Sequence, residues 1–292
     1  MSDVVWQGLT QADLDRQLNL RARWPNHEAV MQQWSDASAQ AKTLGSWQEI
    51  AYGAHPLQRL DLALPDRSSG QALPLLVFIH GGYWQSLDKS DFALVAPPFL
   101  EAGIAVASLN YRLAPEVPLD AIVTDIAAAT ARLAEEATSL GLAQRHWVLA
   151  GHSAGGHLAI MELLRDRRAV EREGAQPRYA AVSAISGIYD LAPIRLSYQQ
   201  PVVQLTAAQI LDLSPLRQAP LSLPPVLLAV GDQETAEFVR QQDALAAHWR
   251  GLGLDIDSKR VAASDHFTVV NCLAAGDHPL TTWLLQACQG KT

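Results

Sequence analysis

The strongest constraint on this chain is a series of short, almost unbroken apolar runs, each followed by a longer stretch of helical period. Residues 73–79 read LPLLVFI, and similar runs occupy 104–109, 147–150, 180–185 and 226–230. Strands apolar along their whole length are buried on both faces, as in a mainly parallel sheet covered by helices. Residues 60–64 alternate instead, and 254–261 are mixed. Between the runs the period is helical. Residues 118–140 carry Ile122, Ile126, Ala129 and Leu133; 154–165 follow a glycine turn; 235–251 carry Phe238, Val239, Ala246 and Trp249; and 278–289 close the chain. Strands alternating with helices predict an α/β sheet with right-handed crossovers and helices on both faces.

Residues 1–50 read as a helical N-terminal extension. Thr10 with Asp13 forms a capping pair ahead of Leu14 and Leu18. Asn26 is placed to cap a second helix with Val30, Met31, Trp34, Ala37 and Ala41 on its apolar side. Residues 193–224, rich in Pro, Leu and Gln, read as a cap insertion. A length of 292 would accommodate two domains, but the alternation runs on unbroken, so one domain over 1–292 is expected.

Composition removes several function classes. Hydrophobic residues make up 49% and charged residues 18%, which excludes a disordered chain. A net charge of −8 opposes binding to nucleic acid, which needs a basic face. No apolar run approaches the roughly 20 residues that span a bilayer, and the first residues lack the basic and apolar regions of an export signal. Two cysteines, Cys272 and Cys288, make neither a disulfide framework nor metal-ligand spacing. The expectation is a cytoplasmic protein with no cofactor, no metal, no nucleic-acid or membrane partner and a small molecule as its ligand; pairing into a homodimer stays open.

Gly151-His152-Ser153-Ala154-Gly155 follows the run 147–150 directly and opens an Ala- and Leu-rich stretch. The pentapeptide alone is weak evidence, being expected about 0.1 times by chance in a chain of this length. Its place between strand and helix makes it a nucleophile elbow, with Ser153 on a tight turn at a helix N-terminus. The alternative is an ordinary glycine-rich turn. His80-Gly81-Gly82-Tyr83-Trp84 follows the run 73–79 in the same way. Acyl transfer creates an oxyanion, best held by two fixed N–H donors. Ala154 is one candidate and Gly82 the first choice for the other, with Gly81 or Tyr83 contributing. His80 is read as a brace for that loop.

A serine needs a base and the base an orienting carboxylate, in the chain order Ser, acid, His for this topology. Of nine histidines, His266 follows the last strand-like run and is preferred to His278, which precedes the terminal helix. Asp232 and Glu234 are both available after the run 226–230; the alternative for each is a helix N-terminal carboxylate.

The sequence resembles the α/β-hydrolases and, within them, the kynurenine formamidase (arylformamidase) group. The likeness is carried by His80–Gln85 (HGGYWQ), Asn110–Pro115 (NYRLAP), Gly151–His157 (GHSAGGH), Ser186–Asp190 (SGIYD) and Asp265-His266-Phe267. Ser214-Pro215-Leu216 and 234–241 add to it, and together these motifs cover about residues 55–290. In the N-terminal extension Asn19 and Arg21 match the group's pattern, whereas Leu18 stands where a tyrosine is expected. The resemblance implies an α/β-hydrolase fold and places the acid three residues beyond the strand-ending glycine, which selects Glu234. It implies hydrolysis of aryl formamides through an acyl-enzyme on Ser153, with Tyr83, Trp84, Tyr189 and Tyr198 as candidates for a flat apolar slot. A carboxylesterase and a non-catalytic binding protein on the same scaffold are the alternatives.

Overall fold

The computed structural model of the protein describes residues 3–66 and 71–291. Met1 and Ser2, where the reading of the chain's start begins, lie outside them. The extension opens with a hairpin, β1 (Val4–Trp6) and β2 (Leu9–Thr10), followed by α1 (Gln11–Leu18), α2 (Leu20–Arg23) and α3 (His27–Ala41). Thr10 and Asp13 cap α1 reciprocally, as their spacing predicts. Asn26 holds the N-cap position of α3 but makes no side-chain cap there. Asn19 instead caps α2, accepting from the Ala22 amide.

The apolar runs become the middle of an eight-stranded sheet. Its members are β3 (Ser46–Ala51), β4 (Arg59–Leu64), β5 (Leu75–Ile79), β6 (Ala105–Leu109), β7 (Trp147–His152), β8 (Tyr179–Ile185), β9 (Val226–Gly231) and β10 (Ile256–Val261), in the order β10-β9-β8-β7-β5-β6-β4-β3. Pairings from β10 through to β6 are parallel; β4 is antiparallel to both β6 and β3. Every residue of β5, β6, β7 and β9 is buried. The edge strands differ: β3 buries only Ile50 and β10 only Ile256 and Val261. That is why β10 reads as mixed in sequence and why β3 carries no apolar signal.

The remaining helices are α4 (Pro97–Glu101), α5 (Leu119–Glu136), α6 (Ala154–Glu173), α7 (Ala192–Leu196), α8 (Gln200–Val203), α9 (Ala207–Leu213), α10 (Ala236–Gly251) and α11 (Pro279–Cys288). The first eleven residues of α6 are buried without interruption, because this helix packs on β5, β7 and β8. The irregular stretch 193–224 is a series of short helices, α7 to α9, tied back to the rest of the fold. Gln11 Nε2 donates to Leu196 O at 2.8 Å, and Gln209 Nε2 donates to Asp120 Oδ1 at 2.6 Å. Among the described residues no helix is long and apolar enough to cross a membrane.

The sheet's strand order reverses between β5 and β7. The chain leaves β5 for β6 on one side, then returns to β7 on the other. A crevice opens at the carboxyl ends of strands that diverge in this way, where ligands of open α/β sheets bind. The loops after β5 and β7 are the two glycine motifs singled out above.

Candidate active site

Ser153 is the single residue between β7 and α6, held at φ 57° and ψ −121°. Side chains other than glycine rarely adopt positive φ, and here the neighbours over-determine it. Its amide donates to Ile185 O at 2.8 Å, tying the turn to β8. Gly155 lies so close to the end of β5 that a Cβ would collide with the carbonyl oxygens of Ile79 and His80. Gly155→Ala is therefore expected to destabilise the fold by several kcal/mol, on the order of the larger single-site losses, measured as a lower denaturant midpoint. A midpoint equal to the parent's would show that α6 can move away from β5 at little cost.

Three loops converge on the serine hydroxyl. His266, just after β10, brings Nε2 to 3.0 Å from Ser153 Oγ and Nδ1 to 2.7 Å from Glu234 Oε2. A carboxylate can only accept, so Nδ1 carries the proton and Nε2 presents its lone pair to the Ser153 hydroxyl. Ser153 and His266 are nearly inaccessible to solvent, which strengthens each of these contacts. Glu234 reaches the histidine from the turn after β9. Its other oxygen accepts from the Gly231 amide at 3.1 Å and from the Ser186 hydroxyl. Ser186, just after β8, belongs to the 186–190 motif, and its bond to Glu234 is a contact that the sequence alone does not reveal.

Asp232 is exposed and does not touch His266. It accepts, at 3.4 Å, from the Ser264 amide and so braces the histidine loop, where a helix N-terminal role had been the alternative. Asp265 folds the next turn by accepting from the Phe267 and Thr268 amides, each at 2.8 Å. His152 Nε2 donates to His266 O at 2.9 Å, fixing the backbone that carries the His266 ring. His278 caps α11, its ring accepting from the Leu280 amide.

The loop after β5 faces Ser153 from the other side. Gly82 sits at φ 108°, where a Cβ would strike Ser86 O, and it lines the same cavity as Ser153. Gly81 presses against Ser153 Cβ and His152 O and does not line the cavity. Ala154 is the first residue of α6, so its N–H has no partner within the helix. His80 is a brace. Its Nδ1 donates to Gly81 O at 2.8 Å, its ring lies on Tyr111 at 4.4 Å, and the Tyr111 hydroxyl donates to His80 O at 2.9 Å. The 110–115 motif thereby supports the glycine loop, with Arg112 pairing bidentately to Asp125 beneath it.

Desolvation holds three of these rings neutral. Burial lowers both His80 and His157 to about 4 and pushes His152 well below the usual imidazole range, the last aided by the neighbouring His266. In the unfolded chain a histidine takes up its proton near pH 6.5, whereas these folded rings refuse it until about pH 4. The unfolded state binds more protons in that window, so stability present above pH 6.5 is lost as pH falls through it. For His80 and His157 the loss amounts to roughly 3 kcal/mol each. A denaturant midpoint unchanged between pH 7 and pH 4.5 would contradict a buried neutral state.

A cavity of about 340 Å³ opens above Ser153, near the lower end of the range for small-molecule pockets. Of the four aromatic candidates, Tyr83 and Tyr198 line it. Trp84 and Tyr189 do not, which corrects that expectation. Trp84 is fully buried, edge-on to His157 at 5.1 Å, and Tyr189 is fully buried with its hydroxyl on Ala184 O at 3.3 Å. The flat apolar surface comes instead from Met31 and Trp34 of α3 and from Phe267. Asn19, Leu20 and Arg21 complete that wall, and Gln199 joins Tyr198 from the stretch 193–224. Leu18 is buried outside the cavity. Its carbonyl accepts from the hydroxyls of Tyr83, at 2.9 Å, and Tyr198, at 3.3 Å.

Comparison with known proteins adds a second line of evidence. The BD-FAE family matches residues 60–247. A kynurenine formamidase of Danio rerio is 30% identical over 244 residues, 82% of this chain and 80% of that protein. One of Salmo salar is 29% identical over 96% of this chain and 97% of that protein. A solved protein of Silicibacter sp. TM1040, described as a candidate thioesterase, superposes with a TM-score of 0.80 at 29% identity, covering 92% of this chain and 98% of that one.

Proposed function

The chain belongs to the BD-FAE family and to the family of the kynurenine formamidases, it has the α/β-hydrolase fold and is a hydrolase, and we propose that it is an arylformamidase acting through Ser153, His266 and Glu234. The observation that carries this reading is the unbroken contact from the Ser153 hydroxyl through the His266 ring to the Glu234 carboxylate.

In the proposed cycle His266 Nε2 takes the Ser153 proton as Oγ attacks the formyl carbon. The carbonyl oxygen gains the negative charge and is held by the N–H groups of Gly82 and Ala154, each worth ~100- to 1000-fold in rate. The C–N bond then breaks, and His266 returns its proton to the departing arylamine. Water, deprotonated by the same nitrogen, attacks the formyl ester on Ser153; the ester C–O bond breaks, Nε2 returns the proton to Ser153 Oγ, and formate is released. A formyl carbon bears only hydrogen, so the enclosed space beside Ser153 suffices for the acyl side. The arylamine lies against Met31, Trp34 and Phe267. No step calls for a cofactor.

Formate release from N-formylkynurenine, lost on substitution of Ser153, tests the proposal. The candidate-thioesterase description of the solved relative supports a second reading, a carboxylesterase using the same groups on short acyl esters. The ratio of kcat/KM on N-formylkynurenine to that on a p-nitrophenyl ester separates the two, and ester turnover with no formamide turnover would establish the second. Labelling of Ser153 by a fluorophosphonate excludes a binding protein without catalysis. Cys272 and Cys288 are free thiols, which suits a reducing compartment, and the cytoplasm is the location we propose.

A further inference from the structure

The walls of the cavity over Ser153 are apolar or uncharged with one exception. Arg21, on α2 of the N-terminal extension, is among the described residues its only lining residue with a permanent charge, and it reaches Ser86 at the end of the glycine loop. Several other arginines are matched by carboxylates, among them Arg112 with Asp125, Arg165 with Glu162 and Arg240 with Glu237. Among the described residues no carboxylate lies within ion-pair distance of Arg21, and its hydrogen bond is a long one, 3.5 Å from Nη2 to Ser86 Oγ. Glu28 lines the groove that continues outward past Arg21 without closing a pair with it. The protein as a whole carries a net charge of −8, which repels anions from its surface. An unopposed guanidinium on the wall of a largely apolar cavity reverses that field locally, and its planar fork fits a carboxylate.

We propose that Arg21 recognises a carboxylate on the leaving arylamine, so that the enzyme selects aryl formamides carrying an acid group over neutral ones. This rests on the arylformamidase reading, since it assigns the far end of the substrate that Ser153 attacks. The formyl group sits at Ser153, the ring lies against Trp34 and Phe267, and the acid group reaches Arg21. Arg21 is a specificity-determining residue and takes no part in bond breaking.

The test compares 4-(2-formamidophenyl)-4-oxobutanoate with 2-formamidoacetophenone, which has the same scissile bond and ring but no acid group. The wild-type enzyme is expected to favour the first in kcat/KM, chiefly through KM, and the preference should shrink as salt is raised. Arg21→Gln should lower the ratio of the two kcat/KM values about tenfold, the worth of a charge-assisted hydrogen bond, and Arg21→Lys should keep part of it. Because both substrates are read on one protein, loss through misfolding cancels in the ratio. Fluorophosphonate labelling of Ser153 in the variant verifies an assembled site. A ratio unchanged in Arg21→Gln, or no wild-type preference for the acid, would overturn the proposal. A parallel pair of esters, 3-acetoxybenzoate and phenyl acetate, separates the two readings. If only the esters react and their ratio still falls in Arg21→Gln, the arylformamidase reading fails while the anion-selecting role of Arg21 stands.

Discussion

Ser153→Ala should lower kcat on N-formylkynurenine by about 10⁴- to 10⁶-fold while the protein keeps its far-UV spectrum and melting behaviour. The substitution removes one oxygen, and that oxygen is the atom facing His266 Nε2 at 3.0 Å. The positive φ at this position burdens alanine no more than serine, so the fold has little reason to change. His266→Ala should cost about as much, and the double variant little more than either alone, because the members of such a set act as a unit. Residual turnover would come from binding and from the N–H donors of Gly82 and Ala154. Activity within tenfold of the parent in a purified Ser153→Ala preparation would remove Ser153 from the chemistry.

Glu234→Gln is expected to lower kcat/KM about 10⁴-fold, and the reason lies in where its donors are. One carboxylate oxygen accepts from the Gly231 amide and the Ser186 hydroxyl, so in glutamine that position must remain the carbonyl oxygen. The NH₂ group is then left facing His266 Nδ1, where a proton already stands. The ring can relieve the clash only by moving its proton to Nε2, which deprives Ser153 of its base. Asp232→Asn should change kcat/KM less than about threefold, since Asp232 is exposed and its contact is a weak one to the Ser264 amide. The opposite order of effects would transfer the acid role to Asp232.

Much of the architecture was legible because burial on both faces forces strands such as β5 and β7 to be apolar throughout. The edge strand β3 was not, since SWQEIA buries only Ile50 and nothing in it separates strand from loop. The hairpin β1–β2 is too short for any period to show. At the site, glycines that permit close approach announced both loops, and the position of His266 after the last strand-like run singled it out among nine histidines. Residues whose contribution depends on long-range folding left no such trace. Trp34 is 119 positions from Ser153 in sequence and reads as an ordinary apolar position on α3, yet it lines the cavity. Trp84 and Tyr189 show the converse. Each lies within a motif, yet each is fully buried in the core, because membership of a motif does not fix which way a side chain points.

One side of the cavity wall is assembled from segments that lie outside the sheet, α2, α3 and the stretch bearing Tyr198, joined to the loop after β5 where the hydroxyls of Tyr83 and Tyr198 meet the Leu18 carbonyl. Ser153, Glu234 and His266, by contrast, hang from turns at strand ends fixed by the core, and such turns also lend Tyr83 and Phe267 to the wall. The keyhole thus has one rigid jamb and one that can be recut. Substitutions confined to α2, α3 and the stretch bearing Tyr198 would change which compounds enter while leaving the sheet's turns undisturbed.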